Sequence, residues 1–312
     1  MIKKKKTKKI LLISLIVTLV LILGILIAIP PLIMGDMVNG HVDFKEIYRA
    51  EDFGLSADRI TLTTSDQYEI IAHEVDVKEP KAVIIFLSGI HNPSVTAFFG
   101  HSKMFMEEGY ASILVEMRAH GESQGDTIAL GYKEYLDVQA AVNYIKGTPE
   151  YAGVPIVAYG LSMGASTAIN SIGNISEIDG LVSLSAYSSW EDVFSDNMVK
   201  MGAPAFYASI QKPFVKLYSL VKYGLSSYNN TPENNISKLG NRPALLIHST
   251  GDSQIPYINF ERLAAAAPPH VETWTREGDL HFIIEDTKFL HPQRDVEYAR
   301  RLIGFMNGNF GE

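Results

Sequence analysis

Apolar and polar positions along this chain fall into blocks of different period, and each change of period marks an element. The longest block runs from Ile10 to Ile29, without a charge and broken only by Ser14, Thr18 and Gly24. At 1.5 Å per residue, a helix of about 20 residues spans the roughly 30 Å of a bilayer's hydrocarbon core. Residues 34–58 are polar, with a short helix expected near Phe44-Lys45-Glu46-Ile47-Tyr48. Ile60 to Thr64 and Tyr68 to Val75 read as two strands around a turn at Ser65-Asp66-Gln67. Ala82 to Leu87 is a continuous apolar run, as a strand buried on both faces requires, and Ser112 to Met117 reads as the next buried strand. Helices are expected at about Thr96 to Glu108, ended by Gly109, and from Tyr132 to Ile145, where Tyr135, Val138, Ala141, Val142 and Ile145 share one side.

The apolar run Val154 to Tyr159 leads into Gly160-Leu161-Ser162-Met163-Gly164 and then into the small residues Ala165-Ser166-Thr167-Ala168. A strand, a sharp turn and a helix are implied. Leu181 to Leu184, Ala244 to His248 and Val271 to Thr275 give three more strands, and Asp295 to Phe305 an amphipathic last helix. Residues 187–240 interrupt this rhythm, being rich in Tyr, Phe, Met and Trp without a buried-strand pattern. Strands alternating with helices predict an α/β fold with a mostly parallel sheet covered on both faces. The expected organisation is a basic tail (1–9), a transmembrane anchor (10–33), a linker (34–58) and a globular domain (59–312) with a helical insertion at about 187–240.

Charge sharpens the reading of the N-terminus. The 312 residues carry a net charge of −8, yet six lysines crowd residues 1–9, so the remainder is near −14. An acidic body argues against nucleic-acid binding. Lysines before an apolar helix put the N-terminus in the cytoplasm and the rest of the chain outside. A cleaved signal peptide is the rival reading, but Ala28-Ile29-Pro30-Pro31 offers no small-x-small site. There is no cysteine, so neither disulfides nor thiolate metal sites arise. The histidines are scattered outside any ligand motif such as H-E-x-x-H, so no metal or other cofactor is expected.

The chemistry converges on Ser162. A serine on a strand-to-helix turn presents its hydroxyl outward, and the residues two before and two after must be tiny, as Gly160 and Gly164 are. The hydroxyl needs a base, and the base needs an orienting carboxylate. In a parallel α/β sheet these belong at the carboxyl ends of strands. Asp252 lies just past the strand Ala244–His248, and His281 follows the last strand. His270 precedes that strand and falls at the wrong end; His291 and Asp279 are weaker candidates. The order Ser162, Asp252, His281 fits one known fold. A developing oxyanion needs two fixed N–H donors, expected from Met163 and from Ile90 in the loop Ser88-Gly89-Ile90-His91. In 187–240, Trp190, Phe194, Met198 and Phe206 are candidates for an apolar substrate pocket under a lid, with packing as the bland reading.

With these residues in place the sequence, over about residues 50–308, resembles the alpha/beta-hydrolase superfamily, in particular membrane-anchored bacterial members of its serine aminopeptidase and lysophospholipase-like branch. Glu51-Asp52-Phe53-Gly54-Leu55 followed by Ile60-Thr61-Leu62-Thr63-Thr64 is similar to the entry of those members. Arg118-Ala119-His120-Gly121-Glu122-Ser123 resembles their R-G-x-G-x-S loop, and Gly131-Tyr132 to Asp137 the segment after it. The chain departs from the pattern at Ser88-Gly89, where many members have His-Gly, at Ala119 for glycine and at Glu116 for aspartate. The resemblance implies cofactor-free hydrolysis through Ser162, Asp252 and His281, of a small-molecule or lipid-like ester or thioester. Peptide hydrolysis and acyl transfer use the same residues, and a non-catalytic binding protein on the same fold is the alternative of another class.

Overall fold

The computed structural model of the protein describes residues 2–311. Helix α1 (Ile2–Val38) continues past the expected boundary at 33. Packing explains the extension: Pro30, Met34 and Val38 repeat every four residues on one face and are buried, whereas most of Ile10 to Ala28 is exposed. The helix expected near Phe44–Tyr48 is absent. That stretch stays extended because the Tyr48 N–H donates to Thr96 Oγ1 (3.0 Å) in a distant loop, and a 3-10 turn forms instead at Ala50–Phe53.

Strands β1 (Asp58–Thr63) and β2 (Glu69–Val75) form the expected hairpin. There follow β3 (Val83–Leu87), α2 (Phe99–Met106), β4 (Ala111–Val115), α3 (Tyr135–Gly147), β5 (Ile156–Leu161), α4 (Met163–Asn174) and β6 (Gly180–Leu184). The insertion folds as α5 (Trp190–Lys200), α6 (Ala205–Tyr223), a 3-10 turn (Leu225–Tyr228) and α7 (Pro232–Ile236). The chain closes with β7 (Ala244–Ser249), α8 (Ile258–Ala266), β8 (Glu272–Arg276) and α9 (Val296–Phe310).

Among the described residues, eight strands form one sheet in the order β1-β2-β4-β3-β5-β6-β7-β8. The β1–β2 and β2–β4 pairs are antiparallel and the rest parallel. Side chains of a strand alternate between faces, and β3 divides accordingly. Val83, Ile85 and Leu87 join the core under α3, α4 and α8, while Ile84 and Phe86 join the core under α2 and α9. This two-faced burial is why β3 reads as an unbroken apolar run. Near the antiparallel edge, buried Arg118 is gripped by Asp137 (Nη2 to Oδ1, 2.7 Å) and Asp66 (Nη1 to Oδ2, 2.8 Å). Burial opposes its charge, but those carboxylates hold the guanidinium charged, pinning the loop after β4 to the hairpin turn and to α3.

Candidate active site

Ser162 occupies the junction of β5 and α4 with φ 56° and ψ −119°, a region that L residues avoid and that a surrounding structure must enforce. The enforcement is close packing. A Cβ on Gly160 would lie 2.2 Å from Gly164 O, and one on Gly164 would lie 2.3 Å from Leu87 O and 2.4 Å from Ser88 O. The turn is fixed further by the Ser162 N–H, which donates to Leu184 O at the end of β6 (2.8 Å). Ser162 itself stays half-buried, and among the described residues its hydroxyl makes no hydrogen bond.

Asp252 and His281 meet as the sequence order implied. His281 Nδ1 lies 2.8 Å from Asp252 Oδ2. Asp252 is held from its other oxygen by the N–H groups of Gln254 (2.8 Å) and Ile255 (2.9 Å). Burial pushes its pKa up, but bonding to His281 and those N–H groups outweigh burial, so its carboxyl stays below the usual carboxylate range. An ionised Asp252 accepts the Nδ1 proton, which leaves Nε2 of a neutral imidazole as the basic nitrogen. The remaining candidates fall elsewhere: Asp279 Oδ1 accepts from Ser253 N (2.7 Å), and exposed His270 lies by Arg242 O at the amino edge of the sheet.

Three positioning contacts had no sequence signal. Ser185, also at positive φ (54°), donates its hydroxyl to His281 O (2.8 Å). Since Leu184 O holds Ser162 N, the adjacent residues Leu184 and Ser185 tie the serine and the histidine to one rim. His248 packs beneath Asp252, its Nε2 2.9 Å from Ile255 O and 3.5 Å from Asp252 Oδ2. Burial lowers its pKa, so it is neutral and supports the loop through that Nε2 proton. His120 bridges two loops, with Nε2 2.6 Å from Ile90 O and Nδ1 2.8 Å from Arg118 O.

The loop after β3 passes directly beside the serine. A Cβ on Gly89 would stand 3.6 Å from Ser162 Cβ and 2.4 Å from Asn92 O, so only glycine fits. Among the described residues the N–H groups of Ile90 and Met163 donate to no partner, and Met163 opens α4, where the helix dipole is positive. Beside this loop a cleft of about 520 Å³ runs between residues 43–48, His91 to Ser94 and Phe282 to Lys288.

The apolar pocket candidates separate. Trp190 and Phe194 are buried in the main core, and Met198 packs against it half-buried. Phe206 lies on the insertion but is 72% exposed on its outer surface, away from the core that holds Trp190 and Phe194. The inward stripe of α6 is taken by Ala208, Gln211, Val215, Ser219 and Tyr223, and Phe206 falls on the opposite face.

A mostly parallel sheet of this order, a serine on a strained strand-to-helix turn and an Asp–His pair on the same rim define an alpha/beta-hydrolase. Comparison narrows the class. Residues 78–237, about half of the chain, match the serine aminopeptidase S33 family, to which this protein belongs. The chain is 24% identical over 228 residues to the uncharacterized protein YqkD of Bacillus subtilis, covering 72% of this chain and 71% of YqkD. Its fold is similar to that of the Pyrococcus furiosus esterase Pf2001 (TM-score 0.67, 22% identity, 88% of this chain and all of the esterase). It is also similar to Pyrococcus horikoshii acylaminoacyl peptidase (TM-score 0.61, 14% identity), covering 82% of this chain and 42% of that larger one. The protein is thus a hydrolase of the kind to which esterases and peptidases both belong.

Proposed function

We propose that the protein is a membrane-anchored serine hydrolase that cleaves an ester or thioester through Ser162, His281 and Asp252. The observation that supports this best is the 2.8 Å contact between His281 Nδ1 and a locked, ionised Asp252, on the rim that carries Ser162. Ser162 Oγ attacks the acyl carbon while His281 Nε2 takes its proton. Asp252 holds the ring and stabilises the imidazolium. The Ile90 and Met163 N–H groups meet the oxyanion. His281 then gives its proton to the departing alcohol or thiol, and water, deprotonated by the same nitrogen, releases the acyl group and restores the serine. The Ser162–His281 hydrogen bond forms when substrate fills the site, as catalytic bonds that are long in free enzymes do elsewhere.

The apolar insertion and the N-terminal helix favour an acyl substrate over a sugar or phosphate. The helix from Ile10 serves as an uncleaved anchor with its lysines in the cytoplasm and the hydrolase domain outside. The test is a panel of chromogenic esters, thioesters and aminoacyl amides offered to the full-length protein in detergent, with Ser162→Ala as control. Turnover of esters or thioesters that the control lacks is expected. Turnover confined to aminoacyl amides would replace this reading with a peptidase, and no turnover of any substrate would favour a binding protein.

A further inference from the structure

Helix α6 is amphipathic the wrong way round for water. Its inward stripe, Ala208, Gln211, Val215, Ser219 and Tyr223, is small or polar at most positions, and the buried Gln211 amide and Ser219 hydroxyl find no hydrogen-bond partner among the described residues. Its outward stripe is Phe206, Ile210, Leu217 and Val221, continued by Leu225 and preceded by Met201. Val221 is 78% exposed, Leu225 84% and Met201 87%. Within α6 the spacing of four or seven residues keeps Phe206, Ile210, Leu217 and Val221 on one face, while Met201 and Leu225 lie just outside the helix at its two ends. Lys212, Lys216 and Lys222 lie on its flanks, half-buried rather than on the ridge. A contiguous apolar ridge of this kind marks a docking surface.

We infer that this ridge docks into the outer leaflet of the bilayer that α1 crosses, with the apolar side chains among the upper acyl chains; this rests on the proposed anchor. The connection between the two helices selects this occupant. Helix α1 packs against α6, and Lys222 Nζ donates to Asn39 Oδ1 just past the end of α1. The charge-free segment through Ile29 fills the hydrocarbon, Ile29 packs half-buried against the domain, and the fully buried positions of α1 start at the next residue, Pro30, and end at Val38. Those positions lie within about 12 Å of the hydrocarbon edge along the helix. A helix packed there is at headgroup depth, where apolar faces with basic flanks settle. Leu32 and Ile33 are likewise exposed on this stretch of α1. The substrate class follows: an acyl lipid resident in the bilayer, taken up beside the insertion rather than from water.

The chain has no cysteine, so single positions can be labelled in the full-length protein. Phe206→Cys and Val221→Cys carry a polarity-sensitive nitrobenzoxadiazole dye in vesicles of mixed neutral and anionic phospholipid with nitroxides at defined depths. Leu19→Cys reports the anchor, and Glu150→Cys, exposed at the amino edge of the sheet, reports water. Shallow nitroxides are expected to quench the dyes at 206 and 221, deep ones the dye at 19, and none the dye at 150. Quenching at 19 without quenching at 206 and 221 overturns the docking and leaves the anchor standing. No quenching at 19 overturns the anchor and the docking with it. A dye response at 206 and 221 that follows protein density and ignores the nitroxides assigns the ridge to a second copy and also overturns the proposal. Val221→Asp with Leu225→Asp should lower hydrolysis of a vesicle-embedded long-chain ester about tenfold relative to a short water-soluble ester. Equal rates on both substrates, before and after the change, would refute delivery from the bilayer.

Discussion

Replacing Gly164 by alanine tests the packing that holds Ser162, the proposed nucleophile, on its turn. The added methyl would stand 2.3 Å from Leu87 O and 2.4 Å from Ser88 O. Carbon–oxygen contacts relax at about 3.3 Å, so the methyl is roughly 1 Å too close to two backbone atoms that no rotamer can move. Either α4 retreats from β3 or the loop carrying Ser88 and Gly89 is displaced. Overpacking of this kind costs about 3 kcal/mol, and for a domain of this size that is a fall in Tm of roughly 8 °C. The same displacement moves the Ser162 hydroxyl away from His281 or the Ile90 N–H away from the oxyanion, and 1 Å of misplacement costs about a hundredfold in rate. The internal control is Gly304→Ala in α9, where nothing lies within 4 Å of the new methyl. There alanine should stabilise the helix by about 1 kcal/mol and leave activity alone. Circular dichroism melts in detergent and initial rates on a chromogenic ester make the comparison. A Gly164→Ala protein with unchanged Tm and activity within about twofold of wild type would refute the close crossing.

Three further substitutions probe the site and its support. Asp252→Asn leaves the volume intact but lets the imidazole take the wrong tautomer, and kcat should fall about ten-thousandfold; an effect on KM alone would contradict the orienting role. His120→Asn releases the Ile90 carbonyl, 2.6 Å from Nε2, so kcat should drop about tenfold with KM little changed as one oxyanion donor loosens. Equal changes in kcat and in Tm-scaled folded fraction would make His120 merely structural. His101 is fully buried against Phe289, with Nε2 2.9 Å from Tyr298 Oη, and burial pushes its pKa down to about 3. Since the unfolded chain takes up that proton near pH 6.5, its stability contribution is complete above that pH and is lost as pH falls toward 3, by up to about 1.4 kcal/mol per unit. His101→Phe should flatten the denaturation-midpoint profile across this window, and a profile of unchanged slope would show that another group carries the acid sensitivity.

How much of this was legible in the sequence differs by range of interaction. Strands β3, β4, β5, β6 and β7 were readable because each is buried on both faces and therefore largely apolar. Gly160 and Gly164 were readable because a crossing backbone admits no Cβ. Asp252 and His281 could be picked out from strand ends and chain order alone. The rest depends on contacts between distant segments. Ser185, His248 and His120 are ordinary polar residues until folding brings each against a carbonyl or carboxylate of another loop. The overrun of α1 to Val38 is set by a packing partner, since nothing local forbids a stop at 33. The outward placing of Phe206 had no local signal, because an aromatic residue in a helical insertion is ordinarily inside, and α6 carries several large apolar residues outside.

The central claim is that Ser162 is an activated nucleophile. The direct measurement is covalent labelling of the full-length protein by a fluorophosphonate, followed by peptide mass spectrometry. The account predicts one adduct, on the peptide carrying Ser162, absent from Ser162→Ala and slowed by several orders of magnitude in Asp252→Asn. A folded wild-type protein that remains unlabelled, or an adduct on any other serine, would contradict it.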